Sequence, residues 1–417
     1  MRRFTSRSVG PLLAVALLGA ACGGSDGAAT SALESQAEPA GVVTDAPVGE
    51  LVDGFNVAGF DLLRTQPVGD NLVFSPASIG HALLMARAAA DDTTGASIDA
   101  AFGLPDGIAA HDAWNSIAAD LDATNGTATD IDGEPTPTLT LADRLWPDVT
   151  ASPDQTWVDL MASHHRADVS LIDRTEPEAS RSAVNGWVSD QTEGLILDLL
   201  PEGFIDGNTV LVLTDTVYFA GEWQTIFGKY GEVDADFTRL DGTTVPISLL
   251  RDLENAGRRG LGDGYAAATI PYKGGDVSMT IVVPDEGTFE AFRDRLDADL
   301  LTELDAFEPG PYELLMPRWE TTSAIDLLPW LGELGAAPGA YPAIDPAAFL
   351  DGAVHGADIA VDEYGRVAAA ATALGFAESG PPEPEFTVAA DRPFYYLIRH
   401  EGTGLVLFAG QVTDPTG

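Results

Sequence analysis

One stretch near the C-terminal end limits what the rest of this chain can fold into. It covers residues 362–393 and reads DEYGRVAAAATALGFAESGPPEPEFTVAADRP. Its first half is an alanine-rich run between two glycines, and its second half is proline-rich and therefore expected to be extended and exposed. One interpretation is a short helix followed by a loop, although a run of this length is only marginally helical by itself. The other is a mobile segment whose small side chains can slide between two existing strands.

Residues 1–21 are typical of an export signal, because Arg2 and Arg3 precede an apolar run that is too short to span a bilayer. The run ends in LLGAAC, which resembles a bacterial lipoprotein cleavage box and finishes on Cys22, the only cysteine of the chain. No internal disulfide is possible, so acylation of Cys22 after cleavage would account for an otherwise unusual exported thiol. We expect a bacterial lipoprotein that is exported and anchored to the membrane at the cell surface. The alternative is an ordinary secretory signal and an extracellular protein.

The remaining sequence predicts one large domain behind a tether. Residues 22–49 are rich in small and polar residues without an apolar period, which predicts a flexible tether. No linker-like break follows, so residues 50–417 are expected to form a single domain and a monomer. Residues 120–137 are polar and are predicted to be a solvated loop, since their acidic spacing fits no EF-hand. The 21 Lys and Arg residues against 65 Asp and Glu residues give a net charge of −44, which excludes a general electrostatic grip on nucleic acid.

Several motifs occur in order along the predicted domain. Residues 71–78 read NLVFSPAS, which predicts a short strand and then a helix with Ser75 as its N-cap and Pro76 at its first position. A strongly apolar strand is predicted to end in TDTVYFAGEW, residues 214–223. The run AVHGADIAVDE, residues 353–363, leads into the alanine-rich stretch.

Taken together, these motifs resemble those of the serpins, a family of serine protease inhibitors, over roughly residues 50–415. DEYG followed by the alanine run looks like the hinge and the reactive loop of that family, which would occupy about residues 363–390. The resemblance implies an α+β serpin fold in a single large domain. It would have smaller sheets, about nine helices and a main β-sheet able to accept the reactive loop as an extra strand.

The resemblance also implies a mechanism. Serpins are suicide inhibitors: the protease cleaves the exposed loop and forms an ester with it, and the freed loop then inserts into the main sheet before water can release the enzyme. The expected partner is a target protease of the serine class, or of the cysteine class, that becomes covalently trapped. No cofactor is implied.

The hinge and the cleavage site can be placed by counting from Glu363 as the first residue of the hinge. The scissile bond then lies at Ser379–Gly380, with Glu378–Ser379 and Ala377–Glu378 as alternatives. Small or acidic residues there favour an extracellular elastase- or subtilisin-like target. The hinge residues that the resemblance implies are Glu363, Gly365, Arg366, Ala368, Ala369, Ala370, Ala371 and Thr372.

The same resemblance implies a polar cluster beneath the centre of the main sheet, where the sheet opens, and a tryptophan at the breach. The cluster consists of Ser75, Ser78, Asp215 and His355, and the tryptophan is Trp223. Asp215 departs from the asparagine that is usual in the family. A Ser-His-Asp hydrolase is not expected, because Ser75 would be a helix cap and no oxyanion loop is recognisable, so the chain is not expected to be an enzyme. The adjacent His164 and His165 are predicted to be a surface pair rather than a metal site.

Arg366 supports an alternative function. It occupies the hinge position where inhibitors of the family usually carry Thr or Ser, and by strand alternation it shares a face with Leu374 and Phe376. A guanidinium on a face that becomes buried costs several kcal/mol unless it is paired or reaches solvent. The alternative is a non-inhibitory serpin with a binding or carrier role, whose loop is cleaved as a substrate.

Overall fold

The computed structural model describes residues 30–254, 257–365 and 386–416. None of the helices in these ranges is both long enough and apolar enough to cross a membrane. Residues 1–21, Cys22 and most of the predicted reactive loop lie outside the described residues. The helices within these ranges are α1 (Val48–Thr65), α2 (Pro76–Arg87), α3 (Asp92–Phe102), α4 (Ile108–Thr124), α5 (Gln155–Leu160), α6 (Pro177–Gln191), α7 (Phe289–Phe292), α8 (Ala298–Asp305) and α9 (Leu328–Glu333). A π-helical segment, Met161–His165, continues α5, and a 3₁₀ turn, Arg293–Arg295, continues α7.

Along the chain, strands occur before, between and after these helices, and the combination belongs to the predicted α+β class. In chain order they are β1 (Thr30–Leu33), β2 (Leu72–Phe74), β3 (Ala128–Thr129), β4 (Pro135–Thr136), β5 (Thr138–Pro147), β6 (Val169–Ile172), β7 (Leu211–Ala220), β8 (Glu232–Thr238), β9 (Thr244–Asp252), β10 (Arg259–Gly262), β11 (Tyr265–Pro271), β12 (Val277–Pro284), β13 (Glu313–Met316), β14 (Trp319–Asp326), β15 (Gly352–Val361), β16 (Thr387–Ala389), β17 (Phe394–His400) and β18 (Val406–Val412).

Three larger sheets organise these strands. A six-stranded sheet has the order β10-β11-β12-β17-β18-β2, and a four-stranded sheet has the order β16-β13-β9-β8. The third sheet, with the order β14-β15-β7-β5, contains the strands that the sequence assigns to the main sheet. β14 pairs antiparallel with β15, β15 pairs parallel with β7, and β7 pairs antiparallel with β5. We call the parallel boundary between β15 and β7 the seam.

Helix α2 packs against the main sheet and is buried from Pro76 to Met85 and Ala86. A helix that is buried around its whole circumference has to be covered on every side, and α2 contacts both β5 and β7 as well as α1. Ser75 caps this helix as predicted, because its hydroxyl accepts a hydrogen bond from the Ser78 amide at 3.0 Å. The cap therefore fixes the start of α2 directly beneath the sheet.

The C-terminal part of the predicted tether is folded, which differs from the expectation for residues 22–49. β1 pairs antiparallel with β6 over Thr30–Leu33, and the Asn115 side-chain amide donates to the carbonyls of Ala40 and Gly41 at 3.1 and 3.3 Å. Backbone groups of this segment make these bonds. The lack of an apolar period in its side chains therefore does not exclude a strand here.

The predicted loop over residues 120–137 is wrong in part. Helix α4 continues to Thr124, and β3 and β4 then form a short hairpin. The tip of the hairpin is fixed to the main sheet, because the Ile131 amide donates to the buried carboxylate of Glu222 at 2.6 Å. One buried acceptor therefore holds a polar segment against the top of the sheet.

Candidate functional site

The seam is the feature that positions the predicted hinge. Its parallel ladder runs from Gly352 opposite Val212 to Ala357 opposite Val217. β15 continues beyond the ladder to Val361 and then enters a tight turn, residues 362–365, that lies at the top of the seam. The described chain resumes just before β16, which belongs to a different sheet. The predicted loop therefore starts beside the seam and ends away from it.

The turn at the hinge is closed by its own backbone. The amides of Asp362 and Gly365 each donate to the carbonyl of the other residue, at 3.2 and 3.4 Å, and the Asp362 carboxylate accepts from the Tyr364 amide at 2.8 Å. Gly365 has φ +109°, and a Cβ there would collide with the carbonyl oxygen of Gly221. Both the dihedral angle and the close approach require glycine at this position.

Trp223 holds the turn against the end of β7, at the predicted breach. Its indole nitrogen donates to the Asp362 carbonyl at 2.9 Å, and its amide donates to the Tyr364 carbonyl at 2.7 Å. The ring is fully buried and stacks on Tyr272 with centroids 4.3 Å apart. These contacts join the strand that precedes the hinge to the strand on the other side of the seam.

A second clamp acts on the side chain of Glu363. Its carboxylate accepts from Nε of Arg318 at 2.9 Å, and Nη2 of the same arginine donates to Glu232 at 2.7 Å. Partial burial raises the pKa of Glu363, but the hydrogen bond and the charge of Arg318 outweigh this effect and the net pKa is lowered. The first hinge residue is therefore an ionised group held by a cation from the start of β14.

His355 and Asp215 connect the two strands of the seam at its centre. They are register partners, and Nδ1 of His355 is hydrogen-bonded to Oδ1 of Asp215. Nε2 of His355 accepts from the Ser75 amide at 3.0 Å, which ties the seam to the start of α2. All three residues are fully buried.

The serines complete the predicted cluster, but they do not form a hydrolytic triad. The Ser75 hydroxyl is the helix cap, and His355 meets the Ser75 amide rather than that hydroxyl. Ser78 instead donates from its hydroxyl to Oδ1 of Asp143 at 2.6 Å. A Ser-His-Asp triad needs the imidazole bonded to the nucleophilic oxygen, whereas His355 bonds a backbone amide and both serines are fully buried, so this arrangement serves packing and strand pairing.

Sequence reasoning missed a line of histidines next to this cluster. Nδ1 of His81 lies 2.5 Å from Oδ2 of Asp143, Nε2 of His81 lies 3.0 Å from Nδ1 of His165, and Nε2 of His165 lies 2.8 Å from Nδ1 of His111. The prediction of a surface pair at His164 and His165 is wrong for His165, which is 5% exposed. Adjacent residues on a helical segment point to different sides, so one ring faces inward and the other stays near the surface. Within the described residues, no group of acidic, cysteine or histidine side chains could hold a metal ion.

Several predicted site residues lie outside the described residues. These are the hinge residues Arg366, Ala368, Ala369, Ala370, Ala371 and Thr372, the cleavage-site residues Glu378, Ser379 and Gly380, and Cys22.

Comparisons with known proteins agree with this architecture. The family model described as Serpin (serine protease inhibitor) matches residues 53–415. The chain is 32% identical over 382 residues to Serpin-Z1 of Arabidopsis thaliana, covering 85% of this chain and 92% of that protein. It is 31% identical over 381 residues to Leukocyte elastase inhibitor A of Rattus norvegicus, covering 85% and 95%. The native state of the thermophilic serpin Tengpin superposes with a TM-score of 0.80 at 22% identity, over 91% of this chain and 97% of that one, which supports the fold alone.

Proposed function

The chain belongs to the serpin family of serine protease inhibitors, and we propose that it traps a protease covalently by inserting its cleaved reactive loop into the seam. The target proposed is an extracellular elastase- or subtilisin-like protease. The inserted strand would enter between β15 and β7, starting from the turn at Gly365.

The parallel orientation of β15 and β7 is the observation that carries this proposal. A strand that follows β15 through a tight turn runs antiparallel to β15. Because β7 is parallel to β15, the same strand is antiparallel to β7 as well. Insertion would therefore replace one parallel ladder by two antiparallel ladders, and antiparallel pairing is slightly more stable per residue.

The energy available from insertion is large enough to do mechanical work. A backbone hydrogen bond contributes roughly 0.5–1.5 kcal/mol net, so about ten new rungs amount to on the order of 10 kcal/mol. Against this stand the His355–Asp215 bond, the Trp223 contacts and the Arg318 clamp, which the entering strand has to break or displace. A native state held by a few specific contacts above a more stable inserted state fits a suicide inhibitor.

The choice of target is supported by the residues around the proposed cleavage site. Ala377, Glu378, Ser379 and Gly380 are small or acidic, which suits proteases with small specificity pockets and disfavours trypsin-like enzymes. The Rattus norvegicus relative is named as an inhibitor of leukocyte elastase, which agrees with this choice.

The test is to mix the purified protein with an elastase-type, a subtilisin-type and a trypsin-type protease. We expect a denaturant-stable covalent complex with the first two and cleavage near Ser379, found by mass spectrometry. The melting temperature of loop-cleaved protein should rise well above that of the intact protein. Cleavage that leaves every protease active and the melting temperature unchanged would exclude the proposed mechanism.

Arg366 separates the inhibitory function from the substrate-like alternative. An arginine in the hinge should slow insertion and let part of the ester hydrolyse. Arg366→Thr should then increase the fraction of protease that is trapped, whereas Arg366→Lys should leave it low. Clean cleavage without complex in wild type and both variants would favour the non-inhibitory, binding or carrier function.

For the N-terminal residues we propose export and lipid attachment at Cys22, with a secreted protein as the alternative. The support is the signal-like layout of residues 1–21 and the single cysteine. Expression in a bacterial host with labelled fatty acid should label the wild-type chain and leave Cys22→Ser unlabelled. Equal release of both proteins into the medium would favour the secreted form.

A further inference from the structure

Four buried side chains from four different elements form one continuous hydrogen-bonded line, which we call the histidine relay. It consists of Asp143 on β5, His81 on α2, His165 on the π-helical segment and His111 on α4. The three steps measure 2.5, 3.0 and 2.8 Å. In each ring, one nitrogen points toward the main sheet and the other points away from it. At every step Nδ1 of one ring meets either the carboxyl group or Nε2 of the preceding ring.

This alternation allows two proton arrangements on the same heavy atoms. In the first, Asp143 carries a proton that it donates to Nδ1 of His81, and each ring donates from Nε2 to the next ring outward. In the second, Asp143 is a carboxylate, and each ring donates from Nδ1 back toward the sheet. Every ring is neutral in both arrangements, and the two differ by one proton.

The inner end of the relay lies on β5, one strand away from the seam. Asp143 is the register partner of Asp215 across β5 and β7, and side chains directly opposite each other lie on the same face of a sheet. Asp143 also accepts from the Ser78 hydroxyl. Burial raises the pKa of Asp143 well above its usual value, and the charge of Asp215 raises it further. The Asp143 carboxyl group therefore favours its protonated form more strongly than an exposed aspartate does.

The rings of the relay stay uncharged at neutral pH. Burial lowers the pKa of His81 to about 3, and its ring stacks on Trp114 with centroids 3.9 Å apart. Burial also lowers the pKa of His165, and the neighbouring histidines lower it further. Neutral imidazoles with one free nitrogen each are what a proton relay requires.

The outer end of the relay faces groups that also disfavour a charged ring. Burial, together with the smaller effects of His164 and Arg87, lowers the pKa of His111 to about 4. His164 lies 3.5 Å from Asp112, and Arg87 is paired with Asp99. His111 also lines a cavity of about 260 Å³ between α2, α3 and α4. The outer end of the relay therefore faces this cavity.

We propose that the histidine relay carries one proton between the cavity at His111 and the carboxyl pair Asp143–Asp215, and that it thereby links opening of the seam to pH. For release, Nε2 of His111 gives its proton to a base in the solvent. Nδ1 of His111 takes the proton from Nε2 of His165, and Nδ1 of His165 takes the proton from Nε2 of His81. Nδ1 of His81 then takes the proton from Asp143, so one proton leaves and one carboxylate forms.

The carboxylate that forms destabilises the closed sheet. With Asp143 protonated, Asp215 has no charged carboxylate opposite it and keeps its bond to His355 across the seam. With Asp143 ionised, a buried negative charge faces the Asp215 carboxyl group across β5 and β7, and opening the seam on the other side of β7 lets water reach this region and screen that charge. The seam opens more readily as pH rises through the pKa of Asp143. The rate of loop insertion should rise over the same pH range. This expectation rests on the proposed function, whereas the relay itself does not.

The test is a pH titration of protein labelled with ¹⁵N in its histidine rings, followed by NMR between about pH 5 and 9. We expect His81, His111 and His165 to exchange the protonated nitrogen from Nε2 to Nδ1 together, with one shared midpoint and without forming imidazolium. Amide hydrogen exchange of β7 and β15, corrected for intrinsic exchange, should increase by up to about tenfold per pH unit around the same midpoint. Separate titration of the three rings, or a single tautomer throughout, would overturn the proposal.

Two variants sharpen the result. Asp143→Asn keeps the side-chain size but cannot ionise, so the shared step and the pH dependence of exchange should both disappear. His400→Gln removes a different buried histidine, on β17, and should leave both unchanged. If Asp143→Asn does not fold, the wild-type titration still decides. Failure to form a protease complex would count against the proposed function but would not change the NMR and hydrogen-exchange results. The relay and the proposed function can therefore fail separately.

Discussion

His355 and Asp215 are hydrogen-bonded to each other across the seam, from register positions on two parallel strands. Both side chains have no exposed surface. A strand that enters between β15 and β7 has to break this bond before it can pair with either neighbour. Under the proposed function, this bond belongs to the barrier that keeps the uncleaved protein in its native arrangement.

Removing this bond should weaken the native state. His355→Ala leaves the Ser75 amide and the Asp215 carboxyl without their partner, and each buried polar group left unpaired costs about 1–3 kcal/mol. We expect a loss of roughly 2–5 kcal/mol in the free energy of unfolding, measured by urea denaturation with tryptophan fluorescence. Asp215→Asn keeps an acceptor of the same size and should lose less than half as much. An unchanged midpoint in His355→Ala would contradict this role.

Gly365→Ala should disrupt the hinge turn. The substitution places a Cβ against the Gly221 carbonyl oxygen and forces an L side chain to φ +109°. Gly275→Ala is a matched control, because Gly275 has φ +83° but nothing lies within 4 Å of its Cβ position. The control should cost only the backbone strain of about 1–2 kcal/mol, and Gly365→Ala should cost clearly more. Equal losses in thermal unfolding would mean that the close approach to Gly221 is relaxed easily.

Arg318→Gln should affect the hinge more than it affects global stability. Arg318 and Glu363 are both about one-third exposed, at 39% and 32%, so solvent screening limits their pair to less than about 1 kcal/mol. Breaking it frees the first hinge residue, and we expect faster loop insertion with nearly the same melting temperature. Arg295→Gln, which breaks a surface pair with Glu303, is the control and should change neither. The comparison should be made at low and high salt, since salt weakens the wild-type clamp.

Stability should fall as the solution is acidified from neutral pH. The folded-state pKa values of His81, His111 and His165 lie below the ordinary value of 6.5, so the unfolded chain binds more protons as pH falls below about 6.5. Asp143 opposes this, because its raised pKa lets the folded protein hold a proton that the unfolded chain has lost. Three rings less one carboxyl leave about two protons, or roughly 2–3 kcal/mol per pH unit, lost from about pH 6.5 toward pH 4, and His400, whose pKa is lowered by burial, adds to this loss. A urea midpoint that is equal at pH 7 and pH 5 would contradict this.

The folded N-terminal segment should contribute to stability. A chain that begins at residue 42 lacks β1, the Ser35–Asp159 hydrogen bond and the contacts of Asn115 with the carbonyls of Ala40 and Gly41. We expect a loss of about 2–4 kcal/mol relative to a chain that begins at residue 30. Differential scanning calorimetry of the two proteins measures it. Identical thermal unfolding transitions of the two proteins would show that this segment packs against the domain without stabilising it.

Side-chain patterns predicted most of the fold and the centre of the site. Ser75 and Pro76 mark the start of a helix by local chemistry alone, and the structure has the helix there. The main-sheet strands could be placed because their apolar runs carry recognisable motifs, and His355 and Asp215 were brought together through those motifs. Which strands pair, and in which direction, follows from the topology of the sheet and not from the sequence pattern of either strand. The parallel seam is the main example.

Two features could not be read from the sequence. β1 is held through backbone pairing at a sheet edge, so its polar sequence gives no signal. His81 and His111 lie on helices among apolar residues, where a lone histidine predicts neither a partner nor a direction. Long-range packing brings these groups together, over sequence separations that no local pattern covers.

The π-helical turn at Met161–His165 has a consequence for how relatives of this chain are compared. Such a turn is an α-helix that has accepted one additional residue. Deleting that residue would restore ordinary helical winding and rotate the imidazole of His165 away from its two partners, even in a chain that kept every histidine. Whether another member possesses this line of rings therefore depends on an insertion of a single position, and a tally of matching histidines would overlook it.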